Sequence, residues 1–581
     1  YSIQEKFMSI SALFDMIQNN ISLIIILIFA GVPLLIGSTA ANRSVSTISD
    51  FFLCNRSLGT ALSFCTIYAT WWSSFAFLGS TSSFYTQGPL YWIALGWNVL
   101  FGILFCVFGK PLWQQSRLRN YRTPVDFFHD KYHSRPLDIA AILLMVGLSI
   151  PYISVQFLGG GIIIEMATNG LIPWRISALL FFMIMILYIW SGGLRAIAWT
   201  DTLYSIMIFS GMLLIGILFI HMTGGVGETF SELAKTRPEN LHLPAVVDGT
   251  LGAGFWFSLL VIMPLGELMM PQIWIRTYAV KKSRTFDAMP FLLSIATLAY
   301  LGTMLAGNAA AVLEPDYPGA SDYILPAMLI KYLPPVLMAF IICCTAAACL
   351  STANSQLHSI SEILTLDIYK TYFYRKAPEK HLILAAKGFI LLIAMLAYLL
   401  LLFGNLSTIF QTAFLAFSGI IQLAVPAVGG LFWKKRDARS ALSGLLFGLA
   451  VTFLFSLWQP FVLPISPGLI GLICNACLYF GMSMYRSRKT KGSIAEERMP
   501  EPKAEIKPSK QKNLKTLWIA IIASFVLMGG PLIILLDHSH LNIAHIPILY
   551  LFVFALWIAL CVLTFIGWRM RWGEKSEGAE K

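Results

Sequence analysis

Long runs of apolar residues recur along almost the whole chain and are separated by short polar segments. Many runs exceed the roughly 18 residues that a helix needs to cross a bilayer. Because lipid offers no partner for backbone polar groups, the spanning elements must be helices or a closed barrel, and long continuous runs favour helices. The pattern predicts fifteen spanning helices, namely 21–40, 61–84, 91–113, 137–168, 172–192, 199–221, 251–272, 287–312, 334–360, 381–403, 408–432, 440–458, 465–484, 515–536 and 546–567.

The run 61–84 is unusually polar for a spanning helix. Its hydroxyls belong either to small side chains that let a neighbouring helix pack closely, or to a broken helix whose freed carbonyls and hydroxyls hold a small, hard cation. The run 334–360 carries a second hydroxyl pair, Ser351 and Thr352, which either bonds its own helix or serves as a ligand. The hydroxyls of the first run are those of Thr66, Thr70, Ser73, Ser74, Ser80, Thr81, Ser82 and Ser83.

Two carboxylates lie inside predicted spans, where ionisable groups are costly and often functional. Asp201 lies just inside the start of 199–221, where it could also act as a helix cap or dipole partner. Glu267 lies in an apolar helix between two prolines and needs a partner, a cationic ligand or a proton. Arg276 lies more than two turns further on, and we expect it at the cytoplasmic end of that helix.

Composition agrees with a membrane protein, because 57% of the residues are hydrophobic and only 12% are charged, against roughly a quarter charged in soluble domains. The net charge of +12 does not indicate nucleic-acid binding. If the N-terminus is placed outside, 36 of the 41 lysine and arginine residues fall on the cytoplasmic side, as the positive-inside rule requires. The chain is thus predicted to lie in a bacterial-type inner membrane with its N-terminus out and its C-terminus in.

The polar segments divide the chain. We predict an N-terminal extracytoplasmic segment 1–20, a transport-type domain 21–484, a basic cytoplasmic linker 485–514, a two-helix membrane module 515–567 and a cytoplasmic tail 568–581. The outer loop 313–333 is expected to contain a short turn or helix. We find no HExxH, GxSxG, Walker or dinucleotide-binding motif, so the sequence predicts no enzyme and no ATP-driven pump.

Four stretches together resemble the sodium/solute symporter family, above all its pantothenate and proline branches. They are SDFFLCNRSLGTALS (49–63), TPVDFFHDKYHS (123–134), SGGLRAIAWTDTLYS (191–205) and AAACLSTANSQLHSISEILTLDIYK (346–370). The resemblance implies an all-α polytopic protein with a leucine-transporter-like core of two inverted repeats, 61–221 and 251–432. Thirteen helices would form the core region, and the last two would be a fused two-helix module.

The same resemblance implies a sodium site between the first and eighth core helices. Its ligands would be the backbone carbonyls of Ala69, Trp72 and Ala348 with the hydroxyls of Ser351 and Thr352. Asp201 would lie on the ion's cytoplasmic exit route. Trp72 departs from the family, which has a smaller apolar residue there, and this could alter the ion site or the pocket beside it.

The substrate site implied by position comprises Tyr152, Gln156, Ser73 and Glu267. Glu267 is a departure, since the proline branch has a tyrosine there and the pantothenate branch an apolar residue. An acid suggests an amine-bearing or cationic substrate, or coupled proton transfer. The expected function is Na⁺-coupled import of a small organic solute (amine, amino acid or carboxylate) by alternating access, without an obligate protein partner. A proton-coupled porter using Glu267 and a membrane sensor that retains the fold are the alternatives.

Overall fold

The computed structural model describes residues 47–168, 170–404, 408–459, 461–489, 508–539 and 541–573, with isolated positions between 25 and 39. The helices up to the first hairpin are α1 Ile48–Leu53, α2 Thr60–Trp71, α3 Ser80–Gln87, α4 Ala94–Val107, α5 Gly109–Arg119, α6 Pro124–Tyr132, α7 Arg135–Ala167, α8 Trp174–Met222 and α9 Val226–Thr236. The hairpin consists of β1 Val246–Val247 and β2 Thr250–Leu251.

The later elements continue the helical pattern. The helices are α10 Gly252–Met269, α11 Pro271–Ala279, α12 Arg284–Ala296, α13 Ala299–Leu313, α14 Ile324–Tyr332, α15 Pro335–Ile363, α16 Glu379–Phe403, α17 Ile409–Ile420, α18 Ala424–Phe432, α19 Ala438–Leu457, α20 Pro467–Lys489, α21 Pro508–Gly529, α22 Leu532–His538 and α23 Ile548–Arg569. A second hairpin, β3 Asn542–Ile543 with β4 Ile546–Pro547, precedes α23.

Within the described residues, eleven helices are long and apolar enough to cross a membrane, or twelve if a bent pair counts as one span. Every predicted span after residue 60 coincides with helix, and the lower count arises because several spans are broken or continuous with a neighbour. Thus 61–84 and 91–113 meet at a bend whose backbone is set by Gly88 (φ 57°). The predicted span 21–40 lies mostly outside the described residues, as does the segment 1–20.

Both predicted repeats begin with a broken helix. In the first, α2 ends at Trp71 and the backbone at Trp72 leaves the helical region (φ −83°, ψ 88°). In the second, α10 gives way to α11 at Met270 (φ −66°, ψ 137°), because the residue before a proline is disfavoured in a helix and Pro271 follows. A broken helix leaves the last carbonyls of its first half without their usual partners. The predicted break in 61–84 is therefore present.

Two glycines let neighbouring helices approach this region. Gly193 bends α8 (φ 56°, ψ −155°), so the predicted spans 172–192 and 199–221 are the two halves of one bent helix. A Cβ at this position would lie 2.4 Å from the carbonyl oxygen of Phe51. Gly159 brings α7 against the break, since a Cβ there would lie 2.8 Å from the Cβ of Ser74. Pro151 is accommodated within α7, which runs unbroken from Arg135 to Ala167.

The C-terminal helices pack on the core through tryptophan side chains. The indole of Trp256 in α10 donates to the carbonyl of Met528 (2.9 Å), and that of Trp557 in α23 donates to the carbonyl of Ser294 in α12 (3.0 Å). Helix α20 extends to Lys489 and α21 begins at Pro508. The predicted linker 485–514 is therefore helical at both ends, and its middle lies outside the described residues, as does most of the predicted tail.

The predicted short helix of the loop 313–333 is α14. Just before it, the carboxylate of Asp322 accepts a hydrogen bond from the backbone amide of Ile409 (2.9 Å), the first residue of α17. The loop is thereby fixed to the start of a predicted core helix.

Candidate functional site

Helix α15 packs against the broken end of α2. Hydroxyl groups of α15 donate hydrogen bonds to backbone carbonyls of α2. The hydroxyl of Ser351 donates to the carbonyl oxygen of Ala69 (2.7 Å) and lies 3.1 Å from that of Ala348. The hydroxyl of Thr352 donates to the carbonyl oxygen of Thr70 (2.9 Å). The five side chains are buried. Three of the predicted sodium ligands, Ala69, Ala348 and Ser351, thus place oxygen atoms within hydrogen-bonding distance of one another.

Both hydroxyls of the pair bond carbonyls of α2 and are not confined to their own helix. Thr352 bonds across to α2 and does not bond back to its own helix, whereas Ser351 reaches both α2 and its own helix.

Trp72 lies at the break itself, with its ring 4.4 Å from that of Tyr68 and 5.8 Å from that of Tyr300. Its indole nitrogen is buried and bonds no partner among the described residues.

Below the hydroxyl pair, a buried arginine joins four helices. Arg276 of α11 donates from Nε to the hydroxyl of Thr66 (2.9 Å) and from a terminal nitrogen to Asp201 Oδ2 (3.3 Å). It also donates to the hydroxyl of Ser355 and to the carbonyl of Gln272. Arg276 is only 1% exposed. As expected, Arg276 lies in the last turn of its helix, α11, but its side chain is buried among other helices and does not face solvent.

Asp201 is part of the same network. Its Oδ2 accepts a hydrogen bond from Thr66 (2.5 Å) besides that from Arg276, and its side chain is fully buried. The helical part of α8 resumes at Leu194, so Asp201 lies two turns inside it. Its bonds are to other helices, which does not fit the role of a cap. An arginine in an apolar run is a signal that could have identified Arg276 from the sequence.

The predicted substrate residues of α7 lie against the other side of the break. The hydroxyls of Tyr152 and Ser73 are 3.1 Å apart. The side-chain oxygen of Gln156 accepts hydrogen bonds from the backbone amide (3.1 Å) and the hydroxyl (2.9 Å) of Ser74. Gln156 thus provides an acceptor for the backbone amide of Ser74 just after the break, and α7 is hydrogen-bonded to the interrupted part of the first broken helix.

Glu267 ends the last turn of α10, directly before the second break. Its Oε1 accepts a hydrogen bond from the amide of Gln272 (3.3 Å). Its Oε2 is buried without a hydrogen-bond partner among the residues that the structure describes. The carboxylate lies within electrostatic range of Tyr152. The structure therefore places Glu267 near Tyr152, one of the predicted substrate residues of α7.

Aromatic rings surround this group of polar atoms, and sequence reasoning missed most of them. The ring of Phe417 lies 5.1 Å from that of Tyr152 and 5.9 Å from that of Trp71. It also packs directly against Gly266, the neighbour of Glu267. Tyr300 lies within electrostatic range of Tyr152. Aromatic faces attract cations, so these rings, together with the carboxylate of Glu267 on the helix that Phe417 contacts at Gly266, suit a cationic group.

The comparisons with known proteins agree with this architecture. The model of the sodium:solute symporter family matches residues 51–448, more than half of the chain, and the chain therefore belongs to that family. It is a sodium-coupled secondary transporter of small solutes rather than a member of an enzyme family.

Relatives and solved structures extend the match beyond single motifs. The chain is 27% identical over 418 residues to the sodium/pantothenate symporter of Haemophilus influenzae, covering 69% of this chain and 83% of the relative. It is 26% identical over 505 residues to the osmoregulated proline transporter OpuE of Bacillus subtilis, covering 82% of this chain and 97% of the relative.

Among solved structures, a Na⁺-coupled sialic acid symporter in a substrate-bound, outward-open state superposes with a TM-score of 0.69 at 17% identity, covering 80% of this chain and 97% of that one. The nucleobase-cation-symport-1 transporter Mhp1 in a closed conformation superposes with a TM-score of 0.55 at 13% identity, covering 78% and 98%. The predicted leucine-transporter-like fold is confirmed.

Proposed function

We propose that this symporter imports a small amine-bearing or cationic solute together with sodium. The observation that carries the proposal is the buried carboxylate of Glu267, one oxygen of which bonds no described residue and which lies within electrostatic range of Tyr152. A buried carboxylate without a partner is costly. A cationic solute would offset this cost, with Tyr152, Gln156 and Ser73 contacting its remaining polar groups.

In this proposal, Na⁺ binds at the break of α2. Its ligands are the carbonyls of Ala69, Trp72 and Ala348 and the hydroxyls of Ser351 and Thr352, all of them the oxygen donors that small hard cations prefer. A sodium ion would replace the hydrogen bond between Ser351 and the carbonyl of Ala69. Because these groups belong to α2 and α15, the ion would hold the two helices together.

Transport then follows alternating access across a bacterial-type inner membrane, with the N-terminus outside and the C-terminus in the cytoplasm. The buried contact between Asp201 and Arg276 closes the path from the sodium site toward the predicted cytoplasmic side. Its opening would release the ion past Asp201. The uptake of sodium and solute is coupled if both bind one conformation of the transporter more tightly than the other.

The sodium site is tested by the melting temperature of the purified protein in NaCl and in KCl at equal ionic strength. Binding to the folded state stabilises it by about 2.7 kcal/mol at a hundredfold excess over Kd. We expect a sodium-specific rise that is lost when Ser351→Ala and Thr352→Ala are combined. Thr345→Ala is the matched control, because that hydroxyl bonds the carbonyl of Ile341 in its own helix (3.0 Å). An unchanged rise in the double variant would refute the ligand assignment.

The substrate class is tested by uptake into proteoliposomes under a sodium gradient. Alkylamines, zwitterionic amino acids and carboxylates without an amine are compared as competitors or labelled substrates. We expect amines to be accumulated and Glu267→Gln to abolish their uptake, while Glu239→Gln, an exposed acid of the loop before the first hairpin, has no effect. Accumulation of an amine-free carboxylate that survives Glu267→Gln would overturn the proposal.

The partnerless oxygen of Glu267 also favours a second candidate function, proton-coupled uptake in which this carboxyl gains and loses the proton. Uptake driven by a pH gradient without sodium, and abolished in Glu267→Gln, would establish it. Uptake that requires sodium and ignores the pH gradient would exclude it.

A further inference from the structure

The far end of α15 carries a second group of buried acids, separate from the sodium and substrate residues already described. Glu362 lies in the last turn of α15, which continues as a wider helical segment, Leu364–Phe373, containing Asp367. Ser351, Ser355 and Glu362 follow one another at spacings of four and seven residues, which place them on one face of the helix. At 1.5 Å per residue, Glu362 lies about 16 Å beyond Ser351 along α15.

Several polar atoms of this region are buried and lack a hydrogen-bond partner within the described ranges. Both carboxylate oxygens of Glu362 belong to this group, and the residue is fully buried. The phenol oxygen of Tyr278 in α11, the hydroxyl of Thr365 and one oxygen of Asp367 are likewise buried and unbonded. Tyr278 and Asp367 both lie within electrostatic range of Glu362. The unbonded atoms thus come from two helices that pack together.

The charged neighbours of Glu362 do not complete its bonding. Asp126 in α6 accepts hydrogen bonds from the backbone amides of Arg122 and Thr123, and Thr123 also bonds the second oxygen of Asp367 (3.1 Å). Arg56 donates to the carbonyls of Ser116 and Tyr121. Arg56 and Arg122 lie in electrostatic range of Glu362 without a hydrogen bond to it. The two arginines therefore leave both carboxylate oxygens of Glu362 without a hydrogen bond from the described residues.

We propose that Glu362, Asp367 and Tyr278 form a second sodium-binding site. A fully buried carboxylate with two unbonded oxygens is strongly unfavourable unless a ligand or a proton joins it. Carboxylate and phenol oxygens suit a small hard cation such as sodium. The site lies on the same helix face as Ser351, between the central sodium site of the proposed function and the predicted cytoplasmic side, so an ion released there would reach it next.

The proposal is tested by equilibrium binding of ²²Na⁺ to the purified full-length protein, counted per chain at saturation. We expect about two sodium ions in the wild type, about one in Glu362→Gln and about one in the combined Ser351→Ala and Thr352→Ala variant. Asp367→Asn serves as a second variant of the same site. Glu379→Gln, which removes an exposed acid at the start of α16, is the matched control and should retain both ions.

Folding is checked by the melting temperature in potassium without sodium, where Glu362→Gln should melt no lower than the wild type because it removes a buried charge. A Glu362→Gln protein that is folded and still binds as many sodium ions as the wild type would overturn the proposal, and would indicate that this carboxyl carries a proton instead. This outcome differs from the one expected if only the central sodium site of the proposed function were wrong. In that case the combined Ser351→Ala and Thr352→Ala variant would bind as many sodium ions as the wild type, and Glu362→Gln would still lose one.

Discussion

Replacing Arg276 by glutamine tests whether the buried arginine holds the broken helices together. The change removes the bonds to Thr66, Ser355 and Asp201 and leaves the carboxylate of Asp201 buried without a counter-charge. Breaking a buried ion pair in this way costs roughly 3–5 kcal/mol. An unfolding entropy of roughly 2.1 cal/mol/K per residue gives about 1.2 kcal/mol/K for a chain of this length. We therefore expect the melting temperature to fall by about 2.5–4 °C.

The assay is a double-mutant cycle measured as melting temperatures in detergent. Asp201→Asn alone should also destabilise, because it leaves the guanidinium of Arg276 buried and unpaired. The combined variant carries no buried net charge, so its loss should be smaller than the sum of the two single losses by about 2–3 kcal/mol. Strictly additive losses would refute the pair. So would an Arg276→Gln protein as stable as the wild type.

Three further outcomes are expected. Trp557→Ala should lower the melting temperature by about 3 °C or more, since truncating a buried aromatic residue costs roughly 3–5 kcal/mol, whereas Trp458→Ala, at a position 63% exposed, should not. Burial raises the pKa of Asp322 from 3.8 to about 6, so the folded state binds its proton more tightly, and stability should fall by about 2 kcal/mol as the pH rises from 4 to 6. Melting curves of Asp322→Asn should lack this step, while those of Asp316→Asn retain it. Gly193→Ala should reduce the yield of monodisperse protein in size-exclusion chromatography, because its backbone conformation costs a non-glycine residue roughly 1–3 kcal/mol.

The spanning helices could be predicted from the sequence because length and hydropathy alone decide whether a segment can cross a bilayer. The break in 61–84 was also visible, as a concentration of hydroxyls. The break at Met270 was not predicted, although Pro271 marks it. The run 251–272 is apolar on both sides of that proline, and hydropathy does not distinguish a bent span from a straight one.

The polar contacts were predicted less completely than the helices, for a physical reason. A resemblance to a family pointed to Ser351, Thr352 and Asp201, but it gave no role to Arg276 or Phe417. Each of these two depends on where neighbouring helices lie: the partners of Arg276 come from α2, α8 and α15, and α17 places Phe417 against Gly266. Partners from distant parts of a chain are set by tertiary packing, which a single sequence does not reveal.

The position of Trp72 suggests how sodium and solute would be coupled. Its predicted role is to supply a carbonyl to the ion, while its ring packs against Tyr300 and the next residue, Ser73, lies beside the hydroxyl of Tyr152. An ion that fixes the backbone at Trp72 would therefore also fix the ring and the hydroxyl that border the substrate residues. A smaller side chain at this position could hold the ion equally well but could not reach Tyr300. In the proposed function, the bulky residue at the break would therefore link the two proposed sites, and the arrangement of Tyr300 and Ser73 should depend on sodium.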